Sequence, residues 1–204
     1  MHTTKAAQQT TGTADAAVGT RERIVRAAAR LLQRQGYEGT GIKQIAGEAG
    51  ATLGSVYHFF PGGKQELAVA AIRHGEGEFA DMLTTALSGT EDPAAAIEDC
   101  TRLLATALRA SDWTEGCPVA ATALETVGRA PAIQRACAEA IGHWTDLVAA
   151  KLRDGGLDQD LAHELAGAVI STLEGAELTA QVLRSEEPLR SAGRHLARLV
   201  RTYL

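Results

Sequence analysis

Alanine occupies 39 of the 204 positions and recurs along almost the whole chain, and no stretch carries several short β-branched runs at hairpin spacing. Alanine is the best helix former because its side chain loses no rotamer freedom and brings no competing polar group. An all-α chain is therefore predicted, its helices delimited by glycine and proline. Thr20 is placed to cap a first helix whose apolar positions Ile24, Ala28, Leu31 and Leu32 fall at helical spacing, up to Gly36. A short second helix covers Ile42 to Ala49 before Gly50, and a third covers Leu53 to Phe60 before Pro61, Gly62 and Gly63. A long helix follows from Lys64 to Ser88, with Leu67, Ala71, Phe79, Met82 and Leu83 inward. The next opens at Glu91, Asp92 and Pro93 and runs to Ala110. A shorter piece spans Cys117 to Val127. Pro131 opens a segment with Ile133, Cys137, Ile141, Trp144 and Val148 at intervals of three or four, ending at Gly155 and Gly156. Asp158 caps a helix through Leu183, and Pro188 opens a last one to Tyr203, for about nine helices in all.

Composition narrows the class further. With 45% hydrophobic and 22% charged residues the chain can bury a core, so wholesale disorder is excluded. No apolar run approaches the roughly 18 to 20 residues of a membrane span, so no membrane partner is expected. Residues 1–19 lack an apolar core of their own and read as a disordered tail without a signal peptide. Cys100, Cys117 and Cys137 are odd in number and widely spaced, which suggests neither a disulfide framework nor a zinc site and fits a reducing cytoplasm. The net charge of −5 conceals an asymmetry. Thr20 to Lys64 hold seven basic residues against three acids, for +4, while 65–204 carry −9. A small cationic head on an acidic body is implied.

Within that head, Ala46, Gly50 and Val56 satisfy in order the three demands of a helix-turn-helix. These are a small residue where the second helix crosses the first, a turn residue that tolerates positive φ, and an aliphatic anchor on the second helix's inner face. Alanine and glycine are common enough here for an arbitrary helical hairpin to present the same three residues.

The run TRERIVRAAARLLQRQGYEGTGIKQIAGEAGATLGSVYHFFPGGKQEL, Thr20 to Leu67, resembles the TetR family of bacterial transcriptional regulators. Gly36-Tyr37, Thr40, Ile45-Ala46, Ala49-Gly50, Ser55-Val56-Tyr57 and Lys64 before Leu67 stand in family register. Gly62-Gly63, Gly116-Cys117-Pro118-Val119 and Glu174-Gly175-Ala176 are similar to the LmrA/YxaF-type branch. The resemblance implies a helix-turn-helix DNA-binding domain at 20–65, with its motif at about 42–60. It implies an effector-binding and dimerisation domain at 66–204, and a homodimeric repressor of a palindromic double-stranded DNA operator. Carried over by position, Thr52, Leu53, Gly54 and Ser55 face base edges and nearby phosphates, and Tyr57 and Lys64 match phosphate contacts. Thr40, Lys43 and His58 complete the candidate DNA set. Gly41 stands where a second Thr or Ser is usual and Phe59 where the branch often has His, so base readout leans on few polar side chains, helped by backbone amides and DNA shape.

Other readings compete at each site. Tyr57 also suits a half-buried core position, Lys43 a solvated one, and His58 packing on the head or plain exposure. The arginines of the first helix also suit a solvated face, with at most one or two expected to touch phosphate, because that helix mainly supports the motif. In the body, the histidines never pair as H-x-x-x-H, and no G-x-S-x-G, Walker-type or dinucleotide pattern occurs, so catalysis, cofactors and metals are not expected.

Effector candidates are Met82, Leu83, Leu104, Leu108, Trp113, Cys117, Thr122, Trp144, Thr172 and Glu174, any one of which also suits ordinary packing. The two tryptophans suit a flat ligand, pointing to a small apolar or aromatic effector. Cys117, before Pro118 at a helix start, reads either as a stabilised thiolate or as a buried inert thiol. The dimer is assigned to two stripes, Leu165, Ala168, Val169, Thr172 and Ala176, then Leu189, Leu196, Leu199 and Val200, although an internal packing of the same stripes fits equally. Effector binding is expected to shift the fourth helix, at whose start Lys64 sits, and so the spacing of the recognition helices. An activator, a co-repressor-dependent regulator, or a helical binding module without DNA activity are the alternatives.

Overall fold

The computed structural model describes residues 18–204, so the expected tail at 1–19 lies, up to residue 17, outside the described residues. Those described form nine helices and no strand. They are α1 (Thr20–Gln35), α2 (Ile42–Glu48), α3 (Leu53–Phe59), α4 (Gly63–Ser88), α5 (Pro93–Ala110), α6 (Ala120–Thr126), α7 (Pro131–Asp154), α8 (Gln159–Leu183) and α9 (Glu187–Arg201). No described helix is long and apolar enough to cross a membrane.

Punctuation acts largely as predicted, with local reasons where it differs. Thr20 is the first helical residue and not the cap; Gly19 holds the cap position without a side-chain bond. Asp92 caps α5 by accepting from the Ala94 N–H at 2.9 Å, with Pro93 in the first turn. Asp158 caps α8 by accepting from the N–H groups of Asp160 and Leu161 at 3.1 Å. Helix α6 begins at Ala120 rather than Cys117, because Pro118 lies in a turn and the Cys117 Sγ accepts the Ala120 N–H at 3.4 Å.

The apolar face of α1, with Ile24, Val25, Ala28, Leu31 and Leu32 buried, is covered by α2, α3 and α4 and touched by α6. In the turn between α2 and α3, Gly50 sits at φ +59, the left-handed region that glycine enters without a Cβ clash. Ala46 and Val56 are buried on either side of it, so a helix-turn-helix forms on the residues the sequence nominated. Phe60 closes this unit from below, with the Arg21 guanidinium 5.2 Å over its ring.

Helix α4 leaves the three-helix unit and packs against α5 and α7, while α9 lies across α5 and α8. Trp144 is fully buried between them, tilted against Phe79 at 4.3 Å, and its indole N–H donates to the Glu76 carbonyl at 3.3 Å. Two close approaches depend on glycine. A Cβ on Gly75 of α4 would stand 2.8 Å from Pro118, and one on Gly193 of α9 would stand 2.4 Å from the Thr101 Oγ1 of α5. Gly193 brings α9 against α5, and Gly75 brings α4 against the Pro118 turn, inside one subunit.

Gly193→Val therefore overpacks the α5–α9 contact and is expected to lower the unfolding free energy by about 1–3 kcal/mol. Gly142→Ala on α7, where an added Cβ meets nothing within 4 Å, is expected to raise it by about 0.5–1 kcal/mol. Urea denaturation of the two variants checks the pair; equal shifts of the same sign would refute the close approach.

Candidate nucleic-acid interface and ligand cavity

Burying Val56 on the inner side of α3 turns Leu53, Gly54, Tyr57 and His58 outward together, since residues four apart share a face. Tyr57 is 52% exposed, which removes the reading of it as a core aromatic. Thr52 caps α3, accepting the Ser55 N–H at 3.1 Å, and the two hydroxyls bond each other at 2.9 Å. The start of α3 is thus a rigid, exposed polar corner. His58 is exposed with its ring edge-on to Phe59 at 5.1 Å. Lys43 is exposed on α2, and the Lys64 ammonium lies 4.2 Å over the Tyr37 ring, which fixes its charge at the start of α4.

Thr40 is a correction to the expected DNA-facing set. It is 1% exposed and its hydroxyl donates to the Gly36 carbonyl at 2.7 Å, so it ties off the end of α1 and presents no group to a ligand. The arginines of α1 are engaged within the protein. Arg23 donates to the Ala49 and Val18 carbonyls at 3.2 and 3.0 Å, and Arg30 pairs with Glu48 at 3.2 Å. Arg34 pairs with Glu115 at 2.5 Å and Arg26 with Glu22 at 2.9 Å. Arg23 and Arg30 thus tie α1 to the end of α2, Arg34 ties it to the body, and Arg26 pairs within α1.

In the body, a cavity of about 450 Å³ lies among α6, α7 and α8 and reaches Gln33 of α1. Its walls are mainly apolar, with Ile141, Trp144, Ile170 and Leu178 among them, and its polar groups include Glu174, Glu177 and Gln181. Of the ten effector candidates, Cys117, Trp144 and Glu174 line it. Met82 and Leu104 line a second cavity of about 400 Å³ between α1, α4 and α5 that shares Gln33, Gly116 and Glu177 with the first. Leu83 and Leu108 are core residues and Thr122 is buried off both linings. Thr172 is exposed on the outer face of α8, and Trp113 is half-buried in the turn after α5 at φ +66.

Cys117 behaves as an inert thiol, because burial, then the charges of Glu174 and Glu177, push it well above its ordinary value. Glu177 escaped the sequence reading. It falls in the inward stripe of Ile170, Leu173 and Ala180, and a carboxylate at a buried helical position was the signal available. It is 6% exposed, and its Oε2 has no hydrogen-bond partner among the described residues.

The dimer stripes are also corrected in part. Leu165, Val169, Leu189, Leu196 and Val200 are buried within the subunit, where α8 and α9 close its own core. Ala168, Thr172 and Leu199 remain exposed and Ala176 partly so, joined on the outer face of α8 by Gly175, Thr179 and Val182. Leu178 and Leu183 flank that face and are more than half exposed.

The cavity and the three-helix unit of α1, α2 and α3 meet directly. Gln33 donates to the Gly116 carbonyl at 2.6 Å, and the Glu38 N–H donates to Glu125 of α6 at 2.8 Å. Gly36, at φ +71, sits so close to Glu125 that a Cβ would approach its carboxylate to 2.4 Å.

Residues 24–71 match the model of bacterial regulatory proteins of the tetR family, and residues 93–195 match that of the C-terminal domain of LmrA/YxaF-like transcriptional regulators. The HTH-type transcriptional regulator LmrA of Bacillus subtilis (strain 168) is 35% identical over 169 residues, covering 83% of this chain and 90% of its own. An uncharacterized HTH-type transcriptional regulator of Mycobacterium tuberculosis is 39% identical over 188 residues, with 89% and 94% covered. Among solved structures, a regulatory protein TetR from Rhodobacter sphaeroides superposes with a TM-score of 0.78 at 27% identity, over 88% of this chain and 97% of that one.

Burial, then the neighbouring Glu174 charge, push the Glu177 carboxyl up to about 8. The folded chain then keeps a proton that the unfolded chain releases above its ordinary value of 4.5. The group's contribution is full below that value and is lost as pH rises to about 8. Between these limits the unfolding free energy is expected to fall relative to Glu177→Gln, by on the order of a few kcal/mol in total. Parallel profiles of the two proteins in chemical denaturation across this range would refute it.

Proposed function

The chain belongs to the TetR family, DNA-binding transcriptional regulators rather than enzymes, and on that footing we propose that it is a ligand-released repressor acting as a cytoplasmic homodimer on a palindromic operator. Residues 20–65 form the DNA-binding domain and 66–204 the effector-binding and dimerisation domain. Leu53, Gly54, Ser55 and Thr52 meet base edges and phosphates in the major groove, Tyr57 and Lys64 hold phosphates, and Lys43 and His58 lie at the margin. A second copy covers the outer face of α8 around Ala168, Thr172 and Val182, together with Leu199 of α9, where small residues let helices approach. That pairing sets two recognition helices about 34 Å apart, the repeat of successive major grooves.

The observation that carries ligand release is that Gln33 of α1 lines the body cavity. A small apolar or aromatic effector seated against Ile141 and Leu178 touches both the DNA-binding domain and the Gly116–Ala123 wall that is hydrogen-bonded to it. Its binding favours an arrangement in which α1 and the start of α4 shift together, and the groove spacing is lost. Release from nearly all bound to nearly all free requires the effector to distinguish the two states by roughly 5 kcal/mol.

Fluorescence anisotropy on DNA tiled across the gene's upstream region tests the reading. One dimer should bind a palindromic tile at least roughly 10³ tighter than competitor DNA. Lys64→Ala should weaken all sequences alike and reduce the salt slope by about 1, whereas Ser55→Ala should change sequence preference. Binding without preference for any tile, or unaffected by Tyr57→Ala, would overturn it.

A further inference from the structure

We propose that the cavity among α6, α7 and α8 takes an aromatic ligand bearing a protonated amine, with the ammonium seated between Glu174 and Glu177. This rests on reading that cavity as the effector site and names the chemistry of what enters it. Two carboxylates three residues apart on α8 stand in one wall, and no lysine, arginine or histidine is among the described residues lining the cavity. Glu177 is buried with Oε2 unpartnered among the described residues, and Glu174 is itself largely buried with only the Cys117 thiol beside it as a donor.

A buried acceptor without a donor is costly, and a ligand that brings the donor recovers that cost. On its other flank Glu177 borders the second cavity, whose Arg26, Arg30 and His74 already face Glu22, Glu48 and Glu78. The cations on that flank are thus each paired with another acid. Burial raises both carboxyls because it penalises their charged form, and an ammonium between them would favour that form as a hydroxyl does not. Ile141 and Leu178 supply exposed apolar surface beside them, and about 450 Å³ admits two or three fused rings.

Three probes with one ring system and different charge decide the matter: 2-(2-naphthyl)ethylamine, 2-(2-naphthyl)ethanol and 2-naphthylacetate. Titration calorimetry on the full chain is expected to show the amine binding at least about tenfold tighter than the alcohol, and the anion weakest. In Glu177→Gln and in Glu174→Gln, each checked for a cooperative thermal transition, the amine-to-alcohol ratio should fall toward one while alcohol affinity stays. A ratio near one in the unaltered protein, a ratio that survives both substitutions, or no binding of any probe at millimolar concentration would overturn the inference. Anisotropy on operator DNA, run in parallel, separates it from the release reading. Amine binding that leaves DNA affinity unchanged supports the ligand class and overturns release; equal release by amine and alcohol supports release and overturns the ligand class.

Discussion

Burial of one face of α1 holds the rest of the architecture in place. Ile24, Ala28, Leu31 and Leu32 are covered at once by the two helices of the motif and by α4, so the orientation of α3 relative to the body is set by a single apolar contact surface. Removing Ile24 or Leu31 from water contributes roughly 1.5–3 kcal/mol each, far more than any exposed ion pair around them. The arginines on the opposite side of α1 then act as braces. Arg23 anchors the end of α2 and Arg34 anchors the loop before α6, so the same helix that supports the motif also feels the body.

Rigidity at the DNA surface follows from local chemistry. Gly50 in the left-handed region directs the chain into α3, the Thr52 and Ser55 hydroxyls lock its first turn, and the Lys64 charge is parked on Tyr37. An exposed helix with so few long polar side chains gains from such fixation, because each contact it makes loses little freedom on binding. The departures from family pattern fit this. Gly41 leaves the start of α2 without a side-chain cap, while Thr40 next to it turns inward to close the end of α1.

Much of this was legible in the sequence. Pro93, Pro131, Asp158, Gly36 and Gly50 mark helix boundaries by backbone chemistry that operates locally, which is why those boundaries stand within a few residues of expectation. What a stripe packs against is not local. Leu165, Val169 and Leu196 have the spacing of an interface, and periodicity gives only the direction of the apolar face; the covering surface lies within the subunit, where α8 packs on α7 and α9, and α9 on α5. Cavity residues were partly hidden for the same reason. Trp144, Cys117 and Glu174 stood out by residue type, whereas Gln33 belongs to the DNA-binding end of the sequence and joins the cavity only once α1 docks.

Glu177 shows what that docking implies for coupling. A carboxyl in a buried stripe lowers stability unless something satisfies it, and replacing such a group by an apolar one is commonly neutral or stabilising. Its position between two cavities, one against α1 and one against α7, places an unsatisfied polar atom where the packing of head and body is decided. Any state of the molecule that gives this oxygen a donor gains over one that does not, and Gln33 and Gly116 line both cavities beside it. A ligand moves a two-state equilibrium only by its differential affinity for the two states, and an unsatisfied buried group is one place where such a difference can arise.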